Sequence, residues 1–161
     1  MNAPNDNIDF STVRRDDQRG VMKQIAEDGV CPFCMEHLSK YHKNPILMEG
    51  KHWVITDNQW PYENVKHQVL AIHKEHINHI ADLVPEAGAE LIELFGTIAK
   101  ERDISGGAVA MRFGVDPGGG SYGTSVRHLH AHLIEPDLEA LDETEAFRFK
   151  MGQPKNYKKR K

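Results

Sequence analysis

Three histidines that alternate with apolar residues, His128, His130 and His132, are the residues of this chain best suited to chemistry. Side chains alternate between the two faces of a β-strand, so the three imidazoles would share one face, with Leu129 and Ala131 on the other. On a helix the same spacing would turn neighbouring imidazoles apart by about 200°. Imidazoles are unfavourable neighbours unless a metal ion or an anion lies between them. The spacing therefore predicts a strand whose polar face binds a metal ion or a phosphate.

A glycine-rich stretch, residues 118–125, directly precedes these histidines. Successive backbone N–H groups in such a stretch can surround an anion, as they do in phosphate-binding loops. Taken alone, the stretch is equally consistent with a plain flexible turn. Its position next to the histidines favours the phosphate-binding interpretation.

A close cysteine pair, Cys31 and Cys34, supplies half of a tetrahedral zinc site. The other ligands would be histidines, and His73, His76 and His79 are all candidates for one of them. A redox pair would have to open a helix after a strand in a βαβ unit, which the pattern of elements does not offer. Zinc ligation is the preferred hypothesis, with a redox pair and two unmetallated thiols as the alternatives.

The elements that position these motifs follow from hydrophobic periodicity and from glycine and proline. A long helix over 85–103 has proline at its first turn, and one of its faces carries a recurring stripe of Ala89, Ile92, Phe95 and Ile98 or Ala99. The other predicted elements are a short helix over 18–28, a hairpin of 46–48 with 51–57, and strands over 68–73, 108–113 and 126–135. Links suited to hairpins predict an α+β domain with an antiparallel sheet.

The length of 161 residues is sufficient for one domain with its own core. We predict a flexible N-terminal lead over 1–18, a globular domain over 19–140 and a C-terminal extension over 141–161. The extension ends in a basic run, Lys155 and residues 158–161, which is typical of a solvated tail.

Composition argues against several classes of protein. A formal net charge of −4 is not that of a protein that coats a nucleic-acid polymer. A membrane-spanning helix needs about 18 apolar residues in a row, and the sequence contains no such window. The polar N-terminus and the single cysteine pair predict a reducing compartment, the cytoplasm.

Together these motifs resemble the histidine-triad superfamily, in the zinc-containing branch that shares its architecture with galactose-1-phosphate uridylyltransferase and diadenosine polyphosphate phosphorylases. The resemblance spans roughly residues 30–136 and is carried by the alternating histidines in 128–134, the cysteine pair, and residues 58–62, 72–77 and 123–126. It implies a sheet of about five antiparallel strands with a long helix and a zinc knuckle.

The resemblance also implies roles for individual residues. His130 would attack the α-phosphorus and form a covalent nucleotidyl-histidine, and His132 and Ser125 would act with it on the phosphate. Asn58 matches the position that holds the ribose hydroxyls. The substrate-binding residues implied in this way are Asn58, Gly123, Thr124, Ser125 and His132. The expected substrate is a nucleotide or nucleotide conjugate, with adenine the commonest base of the superfamily.

A structural zinc ion and a homodimer are implied as well. The implied zinc ligands are Cys31, Cys34, His76 and His128, and four protein ligands would leave no open position for water. Superfamily members commonly form two-fold dimers through the long helix and the adjoining strand.

The chain departs from the superfamily pattern at three places. Arg112 stands where many relatives have an asparagine, His73 stands where a proline is common, and the loop over 114–127 is longer than in compact hydrolases. These differences bear on which leaving group the protein prefers.

Two other functions fit the same motifs. The first is a non-catalytic nucleotide-binding protein with a structural zinc site. The second is a metalloenzyme in which His128, His130 and His132 bind one catalytic zinc ion, with the cysteines unrelated to it.

Overall fold

A computed structural model describes residues 6–158 of the chain. The predictions for residues 1–5 and 159–161, which are part of the lead and of the basic run, lie outside the described residues. The described part of the chain has three α-helices, α1 (Asp16–Asp28), α2 (Met35–Tyr41) and α3 (Pro85–Glu101). Among residues 6–158, none of the helices is long and apolar enough to cross a membrane.

The sheet has five strands, all antiparallel, in the order β1-β2-β3-β5-β4. In chain order they are β1 (Ile46–Glu49), β2 (Trp53–Asp57), β3 (Val65–His73), β4 (Ala108–Arg112) and β5 (His130–Pro136). The predicted α+β class, with an antiparallel sheet of five strands and a long helix, is confirmed. The central pair of strands, β3 and β5, is where the histidines lie.

Helix α3 covers one face of the sheet through a stripe that agrees with the predicted one at Phe95 and Ile98 but not at its two earlier positions. Its buried residues are Ala87, Leu91, Phe95 and Ile98, which pack on Trp53, Val69 and Ala131 of the sheet. Ala89 is exposed and Ile92 is 63% exposed, so the prediction was wrong at these two positions. Neighbouring residues of a helix lie about 100° apart, so burying Leu91 turns Ile92 away from the sheet.

The opposite face of the sheet carries the histidines. Leu70 and Ile72 of β3 pack there with Leu38 of α2 and with Phe33. Leu129, Ala131 and Leu133 belong to the core beneath α3, as the alternation of side chains requires. The imidazoles therefore lie between the sheet and the N-terminal helices.

Strand β5 begins at His130, four residues later than predicted. The backbone just before it pairs with other segments, because the Arg127 N–H donates to the Asn7 carbonyl at 2.8 Å and the Leu129 N–H to the Ile77 carbonyl at 2.7 Å. His128 consequently lies two residues before the strand rather than within it, at a position called here the mouth of β5.

Both terminal segments pack onto the domain where they are described. Ile8 and Val13 are buried, unlike side chains of the flexible lead that was predicted, because they complete an apolar cluster with Met22 and Ile25 of α1. At the other end, the backbone of residue 153 pairs with that of residue 121, inside the glycine-rich loop. The terminal segments thus reach the face that carries the histidines.

Candidate active site and metal cluster

One cavity of about 880 Å³ lies beside β5 and is lined by His130 and His132. The Phe33 ring meets His130 edge-on, with ring centroids 5.1 Å apart. On the other side the Tyr62 ring stacks on His132 at 6.1 Å. The two histidines therefore lie between the aromatic rings of Phe33 and Tyr62.

The backbone fixes which nitrogen of His130 is protonated. Nδ1 of His130 lies 2.8 Å from the carbonyl oxygen of His128, and a carbonyl only accepts hydrogen bonds. Nδ1 therefore donates, and in the neutral ring Nε2 keeps its lone pair. Nε2 is the nucleophilic atom of this side chain.

A glutamine fixes the opposite tautomer in His132. The Tyr62 N–H donates to Oε1 of Gln68 at 2.7 Å, so the amide nitrogen of Gln68 faces Nδ1 of His132, at 3.1 Å. That nitrogen donates and Nδ1 accepts, which places the proton of the neutral His132 ring on Nε2. The two cavity histidines thus offer one lone pair and one N–H donor.

Burial keeps both rings uncharged. Desolvation, together with the nearby charge of Arg112, lowers the pKa of His130 to about 4. Desolvation also lowers the pKa of His132 well below its ordinary value, with contributions from His130 and Arg112. Since the neutral imidazole is the nucleophilic form, His130 presents its lone pair at neutral pH.

Four side chains from distant segments form a cluster that could hold a metal ion: Cys31, Cys34, His76 and His128, whose ligand atoms all lie within 4.8 Å of one another. Sγ of Cys31 is 3.4 Å from Nδ1 of His128, and Sγ of Cys34 is 3.3 Å from Nδ1 of His76. In the described part of the chain this is the single group of that kind. The cluster joins the start of α2, the end of β3 and the mouth of β5.

The backbone also orients His128, which belongs both to the triad and to the metal cluster. Nε2 of His128 lies 2.6 Å from the His73 carbonyl, so Nε2 carries the proton and donates. The lone pair of Nδ1 then points toward the two sulfur atoms. In metal-binding imidazoles a hydrogen bond from the other ring nitrogen fixes the tautomer and the orientation in the same way.

The rival histidines lie outside the cluster. The His73 ring packs edge-on against Trp53 at 4.9 Å, and Nδ1 of His79 accepts from the Ala81 N–H at 3.1 Å. The hypothesis of one catalytic zinc ion on all three triad histidines is wrong, because His128 faces the cysteines while His130 lines the cavity.

The electrostatics of the cysteine pair suit a cation. Burial and the neighbouring Cys31 raise the pKa of the Cys34 thiol to about 12. A divalent ion opposes that shift, since metal-bound thiols are deprotonated. A positive charge bound between the two sulfur atoms would therefore stabilise their thiolate forms.

The glycine-rich loop does not present the row of free N–H groups that was expected of it. The Gly120 N–H donates to the Asp116 carboxylate at 2.7 Å, and the Gly123 N–H donates to Oγ of Ser121 at 3.0 Å. The Ser121 N–H is bonded to the backbone of residue 153. Gly123 has a φ of +88°, and a side chain there would meet the Met151 carbonyl at 2.8 Å. At these positions the loop serves close packing.

The predicted phosphate residue Ser125 lines the cavity but has a partner that the sequence did not indicate. Oγ of Ser125 lies 2.7 Å from Oγ1 of Thr12, which in turn donates to the Asp9 carbonyl at 3.0 Å. Thr12 has a single proton, so Ser125 is the donor of this pair. A phosphate would have to take that hydrogen bond from Thr12.

Of the remaining predicted substrate residues, Asn58 and Gly123 line the cavity and Thr124 does not. Asn58 lines the cavity, and its Oδ1 accepts from the Trp60 N–H at 3.1 Å. Thr124 is buried outside the cavity lining, and its hydroxyl has no hydrogen-bond partner among the described residues. Thr124 therefore does not reach the place where a substrate would contact His130.

A cationic wall of the cavity was missed by the sequence analysis. Nη1 of Arg112 donates to the Tyr62 hydroxyl at 2.8 Å, and the Arg14 guanidinium lies 4.2 Å from the centre of the same ring. Phe149, from the C-terminal segment, stacks on Tyr62 at 5.9 Å. Only Arg112 gave a signal in the sequence, as a departure from the usual asparagine.

A five-stranded antiparallel sheet with alternating histidines at the start of its last strand is typical of the histidine-triad class of protein. A family model described as "Scavenger mRNA decapping enzyme C-term binding" matches residues 31–147. The chain belongs to this family of histidine-triad proteins. Among curated proteins, no sequence matches the chain significantly.

Solved structures of histidine-triad proteins share the fold at low sequence identity. A histidine triad nucleotide-binding protein from Candida albicans is 19% identical, with a TM-score of 0.53 over 74% of this chain and 87% of its own. A zinc-bound histidine triad family protein from Mycobacterium smegmatis is 22% identical, with a TM-score of 0.52 over 73% and 81%. A histidine triad protein from Clostridium difficile is 18% identical, with a TM-score of 0.52 over 84% and 100%.

Proposed function

We propose that this chain is an enzyme that hydrolyses or transfers nucleotides at the α-phosphate through a covalent nucleotidyl-histidine on His130. The observation that carries the proposal is the tautomer of this buried, neutral ring, whose Nδ1 is held by the His128 carbonyl and whose Nε2 lone pair is available at the cavity. Adenine nucleotides, the commonest substrates of the superfamily that the sequence resembles, are the first to test.

In the first step Nε2 of His130 attacks the α-phosphorus, so a P–N bond forms and the bond from phosphorus to the leaving group breaks. The leaving group departs with that electron pair and takes a proton from solvent or from a neighbouring donor. Charge that develops on the phosphoryl oxygens is met by the Nε2–H of His132, a preorganised donor in a buried site.

In the second step water, or another acceptor, attacks the same phosphorus and the P–N bond breaks. The electron pair returns to Nε2 of His130, and the attacking oxygen releases its proton. The same adduct therefore serves hydrolysis and transfer, and the choice depends on which acceptor reaches the cavity. Asn58, on the cavity wall, is the residue we assign to the ribose hydroxyls.

We also propose that the metal cluster binds zinc. In a tetrahedral site with zinc bonds of about 2.3 Å to sulfur and 2.0 Å to nitrogen, neighbouring sulfur and nitrogen ligands lie about 3.5 Å apart. The distances of 3.4 and 3.3 Å between cysteine sulfur and histidine nitrogen fit this geometry. Cys31, Cys34, His76 and His128 would hold the ion, which would anchor the N-terminal helices to the mouth of β5.

A trapped adduct tests the proposed function. The protein is mixed with a panel of nucleotide conjugates and quenched at alkaline pH, because P–N bonds to imidazole hydrolyse in acid. We expect mass spectrometry to find one added nucleotidyl group on the peptide that contains His130. Turnover with no adduct, or with the adduct on another residue, would contradict the mechanism. Nucleotide binding without turnover would favour the non-catalytic alternative.

A homodimer formed through α3 is a further part of the proposal. Ile92 on α3 is 63% exposed, and Val109 on the edge strand β4 is 49% exposed. Both are apolar side chains that a second copy would cover, and an uncovered edge strand is a site for pairing.

We expect light scattering at micromolar concentration to give twice the 18.3 kDa of one chain. An Ile92→Glu variant is expected to give the monomer mass, because it places charge in an apolar contact. Lys23→Glu, on the exposed side of α1, is the control and should not change the mass. A monomer mass for the unmodified chain across the micromolar range would rule out the dimer.

A further inference from the structure

A buried arginine that forms no ion pair with any described residue lies beside the triad. Arg112 is 8% exposed, and its Nε has no hydrogen-bond partner among the described residues. Two of its other N–H groups donate to the Tyr62 hydroxyl at 2.8 Å and to the Lys150 carbonyl at 2.7 Å, both neutral acceptors. An unpaired buried charge is costly, so this guanidinium is suited to an anionic partner that arrives from the cavity.

The register of the sheet places Arg112 next to the reacting histidine. Arg112 of β4 and His130 of β5 are directly opposed residues of an antiparallel pair. Side chains at opposed positions share a face of the sheet, so the guanidinium and the imidazole lie on the same side. Both line the same cavity.

The charged side chains that line the cavity are mostly cationic, whereas the chain as a whole has a negative net charge. Among the described residues, five cationic side chains line it, Arg14, Arg15, Arg112, Arg148 and Lys150, and one carboxylate, that of Glu63. Arg15 is already paired with Asp17 at 3.1 Å, which leaves four cations against Glu63. The chain as a whole has a formal net charge of −4. A phosphate diester carries about one negative charge at neutral pH, which is smaller than the net positive charge of the side chains that line the cavity. The cavity is suited to a ligand with more than one phosphate.

We propose that Arg112 binds a phosphate of the leaving group, so that the protein prefers substrates in which the nucleotide is joined to a second phosphate over those in which it is joined to an uncharged group. This inference rests on the proposed function. The planar fork of arginine binds two oxygens of one phosphate. Arg112 is then a specificity-determining residue, with the Tyr62 hydroxyl and the Lys150 carbonyl holding its orientation.

Two matched conjugates of the same nucleoside monophosphate test the proposal: an anhydride whose leaving group carries phosphate, and an amidate whose leaving group is an uncharged amine. We expect Arg112→Gln to lower the ratio of the two kcat/KM values, anhydride over amidate, by about 30-fold. Arg19→Gln is the matched control, since it removes the same charge from an exposed position of α1 outside the cavity lining, and it should leave the ratio unchanged.

Binding of inorganic pyrophosphate is the second measurement, and it does not depend on turnover. We expect the unmodified protein to bind pyrophosphate at least about 10-fold more tightly than orthophosphate, and Arg112→Gln to lose that preference. Arg112→Lys keeps the charge but not the fork, and should recover part of it. Melting curves of both variants establish that they fold, and Arg112→Lys replaces Arg112→Gln if the latter does not.

The outcomes are distinct. An equal loss on both conjugates would place Arg112 on the reacting phosphate and overturn the proposal, as would an unchanged ratio. If no conjugate reacts and no adduct forms, the proposed function fails, and pyrophosphate binding alone then decides the role of Arg112. Pyrophosphate binding that Arg112→Gln leaves intact would overturn it.

Discussion

Replacement of His130 by alanine is expected to lower the turnover of a nucleotide conjugate by at least about 100-fold, equivalent to about 2.7 kcal/mol of barrier. The substitution removes the unprotonated Nε2 at the cavity, and with it the only atom we assign to the attack on phosphorus. Binding of a nucleoside monophosphate should persist, because the cavity walls come from other segments. Steady-state kinetics and calorimetry of the purified variant measure the two effects.

The control for this variant is His37→Ala, which removes an imidazole on α2 that does not line the cavity. It should keep full turnover. If His130→Ala turned over a confirmed substrate at the normal rate, the covalent mechanism would be wrong. If the variant lost nucleotide binding as well, the fall in rate would reflect the cavity and not the nucleophile.

Cys34→Ser is expected to lose the metal ion and to melt about 10 °C below the unmodified protein. The ion would join three segments that are far apart in sequence, so its binding energy contributes to folding stability. A loss of about 3 to 4 kcal/mol corresponds to a shift of about that size in a domain of this length. Folded Cys34→Ser should still form the adduct on His130, because the ion would have no open position for substrate.

Two histidine variants form a matched pair for the same prediction. His76→Ala removes a member of the cluster and should lose the metal, whereas His79→Ala removes a nearby imidazole outside the cluster and should keep it. Elemental analysis and calorimetric melting give the two measurements. A fully active, well-folded preparation made without chelator that contains no zinc would contradict the zinc assignment.

The sequence was a reliable guide to the alternation of side chains along β5. Strand alternation predicted that His130 and His132 would share a face opposite Ala131, and the structure places them so. Local periodicity was not enough to identify the buried face of α3, because Phe95 is buried but Ile92 is exposed. An apolar residue next to a buried stripe has the same local pattern as one within it, and only the position of the sheet distinguishes them.

The hydrogen bonds of the glycine-rich loop were outside what the sequence can specify. Glycine runs that surround an anion and glycine runs that pack closely look alike in sequence. Here the Asp116 carboxylate accepts a hydrogen bond from the Gly120 N–H, and the backbone of residue 153 accepts one from the Ser121 N–H. Residue 153 lies more than thirty positions beyond Asp116 in the sequence. The same holds for the pairing of Thr12 with Ser125, which are 113 positions apart.

The sequence by itself determined the reactive residue types, the strand that carries them and the antiparallel α+β class, because each depends on spacing within a short segment. The tertiary structure decided which two imidazoles meet the cysteines, which nitrogen of each cavity histidine is protonated, and where Arg112 finds its partners. Those outcomes depend on contacts such as the one between Arg112 and the Lys150 carbonyl, made by segments that only folding brings together. No local pattern encodes the distance between such segments, and the chemistry of this cavity depends on that distance.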